Sequence, residues 1–283
     1  MKFTLITTVF NEENNILLFL KSINSQTELV DEFIVVDGGS TDSTVKLIKD
    51  NIVHDIDLKI IVDETCSKKY CVGPIAKGRN VAISKASHDV ILVTDAGCIL
   101  DSNWVKNMKK SFLAGADIVS GNYMAQSGNH FQTYISDVFC PEVKVDNAKD
   151  FLPSSRSLGF KKSLWEAVGG YPETSYTAED TLFDIKIFEL TDNVIFCREA
   201  IVYWELPSGF KETMKKVFNY GIGEGMQRLF LYKYLVRFFL IIFPLPLLML
   251  VLLGRKKLIT YPMYVAQVCG FFNGVLSSFK VKL

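Results

Sequence analysis

The sequence predicts an α/β protein with a mostly parallel, Rossmann-like sheet flanked by helices. Two observations support this class: mostly apolar runs that end on an aspartate, and segments of helical periodicity between them. Such runs are typical of strands covered on both faces, and their alternation with helices favours a parallel sheet. The runs are Phe33–Val36 before Asp37, Leu58–Val62 before Asp63, and Val90–Val93 before Asp95.

The remaining elements of the first half follow from local signals. Asn11 is expected to cap the first helix, and Pro74 suits the first turn of a later one. Gly38–Asp42 has the composition of a turn. In order, we predict a strand at Phe3–Val9, a helix with Ile16, Leu20 and Ile23 inward, a helix with Val45 and Ile48 inward, a helix Pro74–Ala86, a helix from Ser102 with Trp104, Met108 and Phe112 on one face, and a strand Asp117–Ser120.

The second half is less regular. Gly121–Ser157 is polar and aromatic without a clear period, as substrate-facing regions often are. The glycine-rich stretch Asn219–Gly225 follows a helix and not a strand, so we predict a hinge or linker and not a phosphate-binding loop. The other predicted elements are a helix Lys162–Val168 closed by Gly169 and Gly170, a helix from Thr177 to Leu190, strands Val194–Phe196 and Ala200–Trp204, and a helix Lys211–Tyr220.

The charge and cysteine content argue against a nucleic-acid-binding protein, a disulfide-rich protein and a zinc protein. The chain of 283 residues has 31 basic and 31 acidic residues, and a nucleic-acid partner is not expected without a basic excess. Its six cysteines are scattered, which indicates reduced thiols and neither a disulfide framework nor a zinc site.

The C-terminal end is markedly apolar. Phe238–Leu253 and Leu258–Phe279 carry no charge, and the basic stretch Gly254–Lys257 separates them. A spanning helix needs about twenty apolar residues, so the second run suffices, whereas Pro244 and Pro246 interrupt the first. Two full spans would oppose the positive-inside tendency. We therefore predict an α/β domain at 1–225 and a membrane-associated segment at 226–283, whose first part dips into or lies on the bilayer. A buried core hairpin is the alternative.

The three strand-terminal aspartates predict a ligand site. They would lie along one edge of a parallel sheet, where ligands commonly bind. Carboxylates there can accept hydrogen bonds from a base or ribose, or hold a divalent cation on phosphates. Lys77 and Arg79 could neutralise a diphosphate. The alternatives are aspartates that cap turns and basic residues on a solvated helix face.

Ordered motifs over residues 3–205 resemble the family 2 inverting glycosyltransferases, whose fold is called GT-A. The resemblance implies that Thr8, Phe10 and Asp37 contact the nucleotide base and that Arg79 serves the nucleotide. It is carried here by Thr8–Glu12, by Phe33–Thr44 (FIVVDGGSTDST), and by Gly73–Ala86 with Arg79 and Asn80.

Three further segments continue the resemblance. Thr94–Gly97 matches the first half of the Asp-x-Asp signature, so Asp95 would serve ribose or a divalent cation, Mg²⁺ or Mn²⁺. Gly97 stands where the family usually has a metal-binding aspartate, which leaves metal dependence open. Leu158–Pro172, with Gly159, resembles the acceptor-side segment. Glu179 and Asp180 resemble the Glu-Asp pair, which implies Asp180 as catalytic base and Glu179 on the acceptor side.

Physical chemistry agrees with the assignment of Asp180. An inverting transfer is one displacement, and the acceptor hydroxyl must lose a proton to a carboxylate opposite the leaving diphosphate. The alternative is that Glu179 and Asp180 merely stabilise a helix N-terminus, where the dipole favours anions.

The predicted function is a membrane-attached inverting glycosyltransferase with its catalytic domain on the cytoplasmic side. By resemblance its donor is a nucleotide sugar, with a UDP-sugar preferred, and its acceptor a lipid-linked or polysaccharide hydroxyl. A polyprenyl-phosphate acceptor is a close alternative. A nucleotidyltransferase should carry a glycine-rich basic loop after the first strand, where this chain has Val9–Glu13. A catalytically silent sugar-nucleotide binder is the third possibility.

Overall fold

The computed structural model describes residues 1–126, 128–143, 147–242 and 259–280. The chain forms two compact units that interleave in sequence. Unit 1 comprises Met1–Met124, Val143–Glu173 and Asp180–Glu205, and unit 2 comprises Ala125–Glu142, Thr174–Glu179 and Leu206–Leu283. The boundary that we predicted after residue 225 separates a catalytic domain from a membrane-associated segment. It stays a prediction.

The described residues contain one eight-stranded sheet, in the order β3-β2-β1-β4-β7-β6-β8-β5. Its strands are β1 Phe3–Val9, β2 Glu32–Asp37, β3 Asp57–Val62, β4 Val90–Val93, β5 Cys98–Leu100, β6 Ile118–Ala125, β7 Leu158–Lys161 and β8 Val194–Trp204. The prediction of an α/β fold is confirmed, although Val194–Trp204 is one strand where two were expected.

Helices connect most of the strands. They are α1 Ile16–Asn24, α2 Thr44–Asn51, α3 Pro74–Lys85, α4 Trp104–Leu113, α5 His130–Phe139, α6 Lys162–Val168, α7 Glu179–Phe188, α8 Phe210–Met226, α9 Leu231–Ile242 and α10 Thr260–Lys280, with 3₁₀ turns at Glu64–Cys66 and Ala148–Asp150. Helix α5 lies in the stretch that we expected to be irregular. Asn129 and Gln132 form a capping box at its start, which was a readable sequence signal.

The four strands β3, β2, β1 and β4 are parallel, as predicted. Ile6 of β1 lies opposite Ile34 of β2 and Val93 of β4. Strands β1, β2 and β4 are covered on both faces, whereas β3 lies at the edge of the sheet and is half-exposed, with Val62 60% exposed. On one face, Ile34 and Val36 join a core with residues of α3 and α7. On the other, the Phe33 ring lies 6.3 Å from that of Phe19 in α1.

The expectation of a mostly parallel sheet is wrong beyond β4. Strand β7 pairs antiparallel with both β4 and β6, and β5 pairs antiparallel with β8. Because β7 pairs antiparallel with both of its neighbours, β4 and β6 run in the same direction and β7 fills the space between them. The sheet is therefore mixed.

The first helix also begins later than predicted. Asn11 adopts a left-handed backbone conformation with φ of 53°, and α1 begins at Ile16. The Asn11 side-chain oxygen accepts a hydrogen bond from the Thr41 amide at 2.9 Å, and the Ser40 hydroxyl oxygen accepts one from the Asn11 amide at 2.8 Å. Asn11 thus joins two turns at the edge of the sheet and does not cap a helix.

In unit 2, α8 packs closely against α10. A Cβ added at Gly221 or Gly225 would lie 2.1 Å from a backbone oxygen of α10, and one added at Gly270 or Gly274 would meet α8 equally closely. The prediction of a hinge at Asn219–Gly225 is therefore wrong. These glycines lie inside a continuous helix and let two helix backbones approach each other.

Across the described part of the chain, no helix combines the length and apolarity that a membrane crossing requires. The predicted spanning helix at Leu258–Phe279 is therefore not confirmed; α10 occupies most of that range. The Pro244 and Pro246 break and the basic stretch Gly254–Lys257 lie outside the described residues.

Candidate active site

Asp37 ends β2 and organises the turn that follows. Its carboxylate accepts hydrogen bonds from the amides of Gly39 at 3.1 Å and Ser40 at 2.9 Å, and from the Ser40 hydroxyl. The residue is fully buried. A buried carboxylate needs such donors, and the three bonds fix the turn at the carboxyl end of the parallel strands.

Asp63 holds a second turn at the same edge. Its carboxylate accepts from the Thr65 hydroxyl at 2.6 Å and the Thr65 amide at 2.9 Å, and caps the 3₁₀ turn. The bond from the Thr65 hydroxyl lowers the Asp63 pKa, against a smaller effect of burial that raises it. Asp63 therefore caps a turn, which is one of the two roles that the sequence left open for it.

Two predicted base-contacting residues lie beside glycines at this edge. A Cβ added at Gly78 of α3 would lie 2.7 Å from the Thr8 methyl carbon, and one at Gly38 would lie 3.5 Å from the Phe10 ring. Phe10 is 52% exposed, so its ring is available to stack on a planar ligand. Thr8 and Phe10 therefore lie at the same edge as Asp37, and their contact with a nucleotide base stays a prediction.

Arg79 and Asp95 form the ion pair of the site. Arg79 Nη2 lies 2.8 Å from Asp95 Oδ1, with the arginine side chain 4% exposed and the aspartate 37% exposed. The arginine on α3 thus reaches across to the residue that follows β4. The interpretation of Arg79 as a solvated surface residue is wrong, because the side chain is buried beneath the edge.

Arg156 is a functional candidate that the sequence reasoning missed. Its Nε lies 4.0 Å from Asp95 Oδ2, and its guanidinium carbon lies 3.9 Å from the centre of the Trp204 ring. It precedes β7, within a run of serines in the stretch that we predicted to be irregular. A basic residue among small hydroxyl residues was the weak signal.

The same arginine is connected to Asp180 by hydrogen bonds through Ser154. Arg156 Nη1 donates to Ser154 Oγ at 2.8 Å, and Ser154 Oγ donates to Asp180 Oδ2 at 3.4 Å. Asp180 is half-buried in the first turn of α7. The structure therefore links Arg79, Asp95 and Asp180 through Arg156 and Ser154.

Asn80 and Tyr171 form a hydrogen-bonded network next to Arg79. The Asn80 side chain donates to the Tyr171 carbonyl at 2.9 Å and accepts from the Tyr171 amide at 2.8 Å and from the Trp165 indole at 2.9 Å. The Tyr171 ring stacks on Phe183 of α7 and lies 5.3 Å from the Arg79 guanidinium. Burial raises the pKa of the Tyr171 phenol. These contacts tie α3 to α7.

Three predicted site residues remain, which are Lys77, Gly159 and Glu179. Lys77 lies near Asp63 and Cys66: it adds to the bonds from Thr65 that lower the Asp63 pKa, whereas burial and Asp63 raise the Cys66 pKa and Lys77 opposes them only in part. Gly159 is buried in β7, where an added Cβ would lie 2.8 Å from Phe112 and 2.9 Å from Leu92. Its predicted place on the acceptor side is therefore corrected to the core. Glu179 is 5% exposed, and its role on the acceptor side stays a prediction.

The residues around Asp95 do not form a good site for a divalent cation. Among the described residues, no three histidine, cysteine, aspartate or glutamate side chains are grouped so as to hold a metal. Arg79 and Arg156 approach different oxygens of Asp95. Mg²⁺ and Mn²⁺ prefer several oxygen ligands and are repelled by neighbouring guanidinium groups. The prediction that Asp95 binds a metal is not confirmed.

The sequence profile described as "Glycosyl transferase family 2" matches residues 4–165. The O-antigen chain rhamnosyltransferase RfbN of Salmonella typhimurium is 26% identical over 238 residues, which cover 78% of this chain and 72% of that protein. The poly(ribitol-phosphate) β-N-acetylglucosaminyltransferase TarS of Staphylococcus aureus is 24% identical over 84% of this chain, which spans 44% of TarS.

Solved structures share the fold. The TarS 1–349 structure in complex with UDP-GlcNAc has a TM-score of 0.59 and 21% identity, and covers 77% of this chain and 66% of its own. The mannosyltransferase PcManGT from Pyrobaculum calidifontis, in complex with GDP-Man and Mn²⁺, has a TM-score of 0.62 and 17% identity, and covers 99% and 74%. The GT-A-like architecture, with a mixed sheet flanked by helices, is thereby confirmed.

Proposed function

The chain belongs to glycosyl transferase family 2 and is a glycosyltransferase, and from this premise we propose that it transfers a sugar, with inversion, from a nucleotide-diphosphate sugar to a hydroxyl group. A UDP-sugar is the donor we favour, because the TarS fragment is a complex with UDP-GlcNAc. The acceptor we favour is a lipid-linked or polysaccharide glycan, because the RfbN name refers to an O-antigen chain.

The observation that carries this proposal is the continuous polar connection from Arg79 through Asp95, Arg156 and Ser154 to Asp180. It places two guanidinium groups and a partly exposed carboxylate within the same site. A displacement at an anomeric carbon needs positive charge at the leaving diphosphate and a base at the acceptor hydroxyl.

We assign the donor to the edge formed by the parallel strands. Phe10 and Thr8 would contact the base, with Asp37 holding the turn beneath it. Asp95 would accept from the ribose, and Arg79 would donate to the diphosphate through another N–H in the plane of its guanidinium, which has five N–H donors in all. Lys77 lies farther along the edge, towards Asp63, and would contribute a longer-range positive charge.

Asp180 is the base in this mechanism. Its Oδ1 accepts from the Thr181 amide at 2.9 Å and its Oδ2 from the Ser154 hydroxyl. These bonds orient the carboxylate, so that it can take the proton of an acceptor hydroxyl as that oxygen attacks the anomeric carbon. The bond from that carbon to the diphosphate oxygen breaks, and the leaving group departs towards the arginines.

We extend the proposal to the membrane and the cytoplasmic face. Its support is the set of exposed apolar side chains on α9, because such a surface on a helix suits the boundary between headgroups and acyl chains. These side chains are Leu231, Tyr232, Leu235, Val236, Phe238, Phe239, Leu240 and Ile242.

Replacement of the base tests the proposed function. Asp180→Asn keeps the size of the side chain but removes its basicity, so sugar transfer should fall by about 10²- to 10⁴-fold. Binding of the nucleoside diphosphate should change little. Transfer is measured with radiolabelled UDP-sugars and membrane glycolipid extracts, and binding by calorimetry.

Asp192→Asn is the matched control, because the Asp192 carboxylate is 98% exposed and pairs only with surface Lys149 among the interactions described. It should leave transfer unchanged. Full turnover by Asp180→Asn would overturn the assignment of the base. Donor binding by the wild-type chain without transfer or hydrolysis of any nucleotide sugar would favour the silent binder instead.

A further inference from the structure

We propose that Arg156, together with Arg79, supplies the positive charge at the leaving diphosphate, so that donor binding by this protein does not require a divalent cation. This inference rests on the proposed function and concerns the same site. It differs from what the family resemblance implies, which is a metal held by an Asp-x-Asp pair.

The first support is the environment of Asp95. One carboxylate oxygen lies 2.8 Å from Arg79 Nη2 and the other lies 4.0 Å from Arg156 Nε. A cation bound at this carboxylate would have to displace or oppose two permanent positive charges, because arginine stays protonated at every physiological pH. A diphosphate, in contrast, is attracted by both.

The second support is the way Arg156 is held. Its side chain is 18% exposed, and its guanidinium lies 3.9 Å from the centre of the Trp204 ring and 6.0 Å from that of Tyr123. Aromatic faces and the Ser154 hydroxyl fix the plane of the group before a ligand arrives. A planar guanidinium fixed in this way suits a bidentate contact with phosphate oxygens.

The third support is position 97. Gly97 is exposed, and a Cβ added there would meet no atom within 4 Å. The backbone therefore has room for the second aspartate of an Asp-x-Asp pair, yet the chain carries no carboxylate at this position. Space does not explain the glycine, and the pair of arginines offers the alternative source of charge.

Calorimetry on the full chain tests the proposal with UDP, GDP and dTDP as probes, each in excess EDTA and in excess MnCl₂. For the probe that binds most tightly, the wild-type dissociation constant should differ by less than about threefold between the two conditions. Arg156→Gln should weaken binding by about 10- to 100-fold in both conditions, as expected for the loss of a charge-assisted contact.

Two other variants sharpen the test. Arg198→Gln removes an exposed arginine from β8 and should bind like the wild type. Gly97→Asp adds the missing carboxylate, so binding in EDTA should weaken by charge repulsion and should recover in MnCl₂. Unweakened binding of the probe by Gly97→Asp in EDTA would contradict the placement of the diphosphate beside Asp95. Arg156→Met, which also removes the charge but keeps a long unbranched side chain, serves if Arg156→Gln does not fold.

The outcomes separate the two proposals. Wild-type binding that is lost in EDTA and restored by MnCl₂ would overturn the metal-independent site, as would unchanged binding by a folded Arg156 variant. Failure of the wild-type chain to bind any of the probes in either condition would instead overturn the proposed function, and the present inference with it.

Discussion

The aspartates of the site show how one residue type takes different roles in different surroundings. Asp37 is fully buried and accepts hydrogen bonds from the turn that follows it. Asp95 lies between two guanidinium groups, and Asp180 lies in the first turn of a helix with a hydroxyl donor. Burial, charge and donors thus distinguish a residue that holds a turn from those that we propose meet substrate.

Glu32 is another buried acid, and it lies at the start of β2, at the opposite end of that strand from Asp37. Its carboxylate accepts from Lys59, from the Thr4 hydroxyl at 2.5 Å, and from the amide and hydroxyl of Ser87. Burial acts to raise the Glu32 pKa, but the bonds from Lys59, Thr4 and Ser87 together outweigh it and lower the pKa to about 2. The side chain thereby links β1, β2, β3 and the end of α3.

The pH dependence of unfolding should report this network. Because the folded pKa lies below the ordinary value of 4.5, the stabilisation is complete above pH 4.5 and is lost as the pH falls towards 2. Glu32→Gln should lower the free energy of unfolding at neutral pH by roughly 3 kcal/mol and should remove much of this acid dependence. Urea unfolding at several pH values measures both effects.

Asp57→Asn is the control for that measurement. The Asp57 carboxylate lies 3.7 Å from the same Lys59 but is 65% exposed, so its loss should change stability little. Equal losses in the Glu32 and Asp57 variants, or an unfolding curve for Glu32→Gln that keeps the wild-type acid dependence, would contradict the prediction.

At the scale of elements, close backbone approach determines the arrangement of α8. Its glycines face α10 at two positions and the loop before α7 at a third. The loop is held to α8 within unit 2, because the Thr177 hydroxyl donates to the Asn219 carbonyl at 2.7 Å and Gln227 donates to Ser175 at 2.9 Å. The chain then enters α7 through Ala178, which has a positive φ of 64°.

Gly223→Ala should destabilise unit 2, although alanine is the better helix former. The added Cβ would lie 2.2 Å from both the carbonyl and hydroxyl oxygens of Thr177. With two oxygens this close, the clash should cost about 3 kcal/mol, more than the gain of about 1 kcal/mol in helix propensity. Thermal unfolding followed by circular dichroism measures the loss.

Gly209→Ala is the matched control. It lies at the start of the same helix with an extended backbone, and an added Cβ there meets nothing within 4 Å. Its loss of stability should stay at or below about 1 kcal/mol, because it changes only the preference of glycine over alanine at an N-cap. A stability of Gly223→Ala equal to or above that of this control would show that the α8 glycines are not required for close packing.

At the scale of the whole molecule, positive and negative charges balance, whereas exposed apolar side chains are numerous on one helix. The formal net charge is zero, so general electrostatic attraction does not select a partner. Large exposed apolar side chains are numerous along α9, whereas Tyr234 on its other side is fully buried and stacks on Phe271 of α10. One side of α9 therefore packs within unit 2 while the other meets solvent.

If that surface rests on a bilayer, a single charge within it should weaken binding. Phe239 is 58% exposed on α9, and Phe239→Asp should reduce the fraction of protein that floats with anionic phospholipid vesicles several-fold, since an aspartate at this depth is costly to bury. Leu113→Asp, at a 71% exposed position on α4, is the control and should float like the wild type. Equal flotation of both variants, or none by the wild type, would refute the membrane proposal.

The sequence determined the parallel half of the sheet. The apolar runs before Asp37, Asp63 and Asp95, and the helical face of Trp104, Met108 and Phe112, depend on periodicities within short segments. Such patterns can be read without knowledge of the fold, because burial imposes them locally. The order of motifs also brought Asp95, Arg79 and Asp180 together as candidates for one site.

Tertiary structure alone decided what depends on contacts between distant segments. It placed β7 between β4 and β6, moved Gly159 into the core, and brought Arg156 to Asp95. It also made a close-packed helix from the glycines that suggested a hinge. None of these features follows from local pattern, because a glycine or an arginine has the same propensity wherever it stands, and its role depends on the atoms that the fold places next to it.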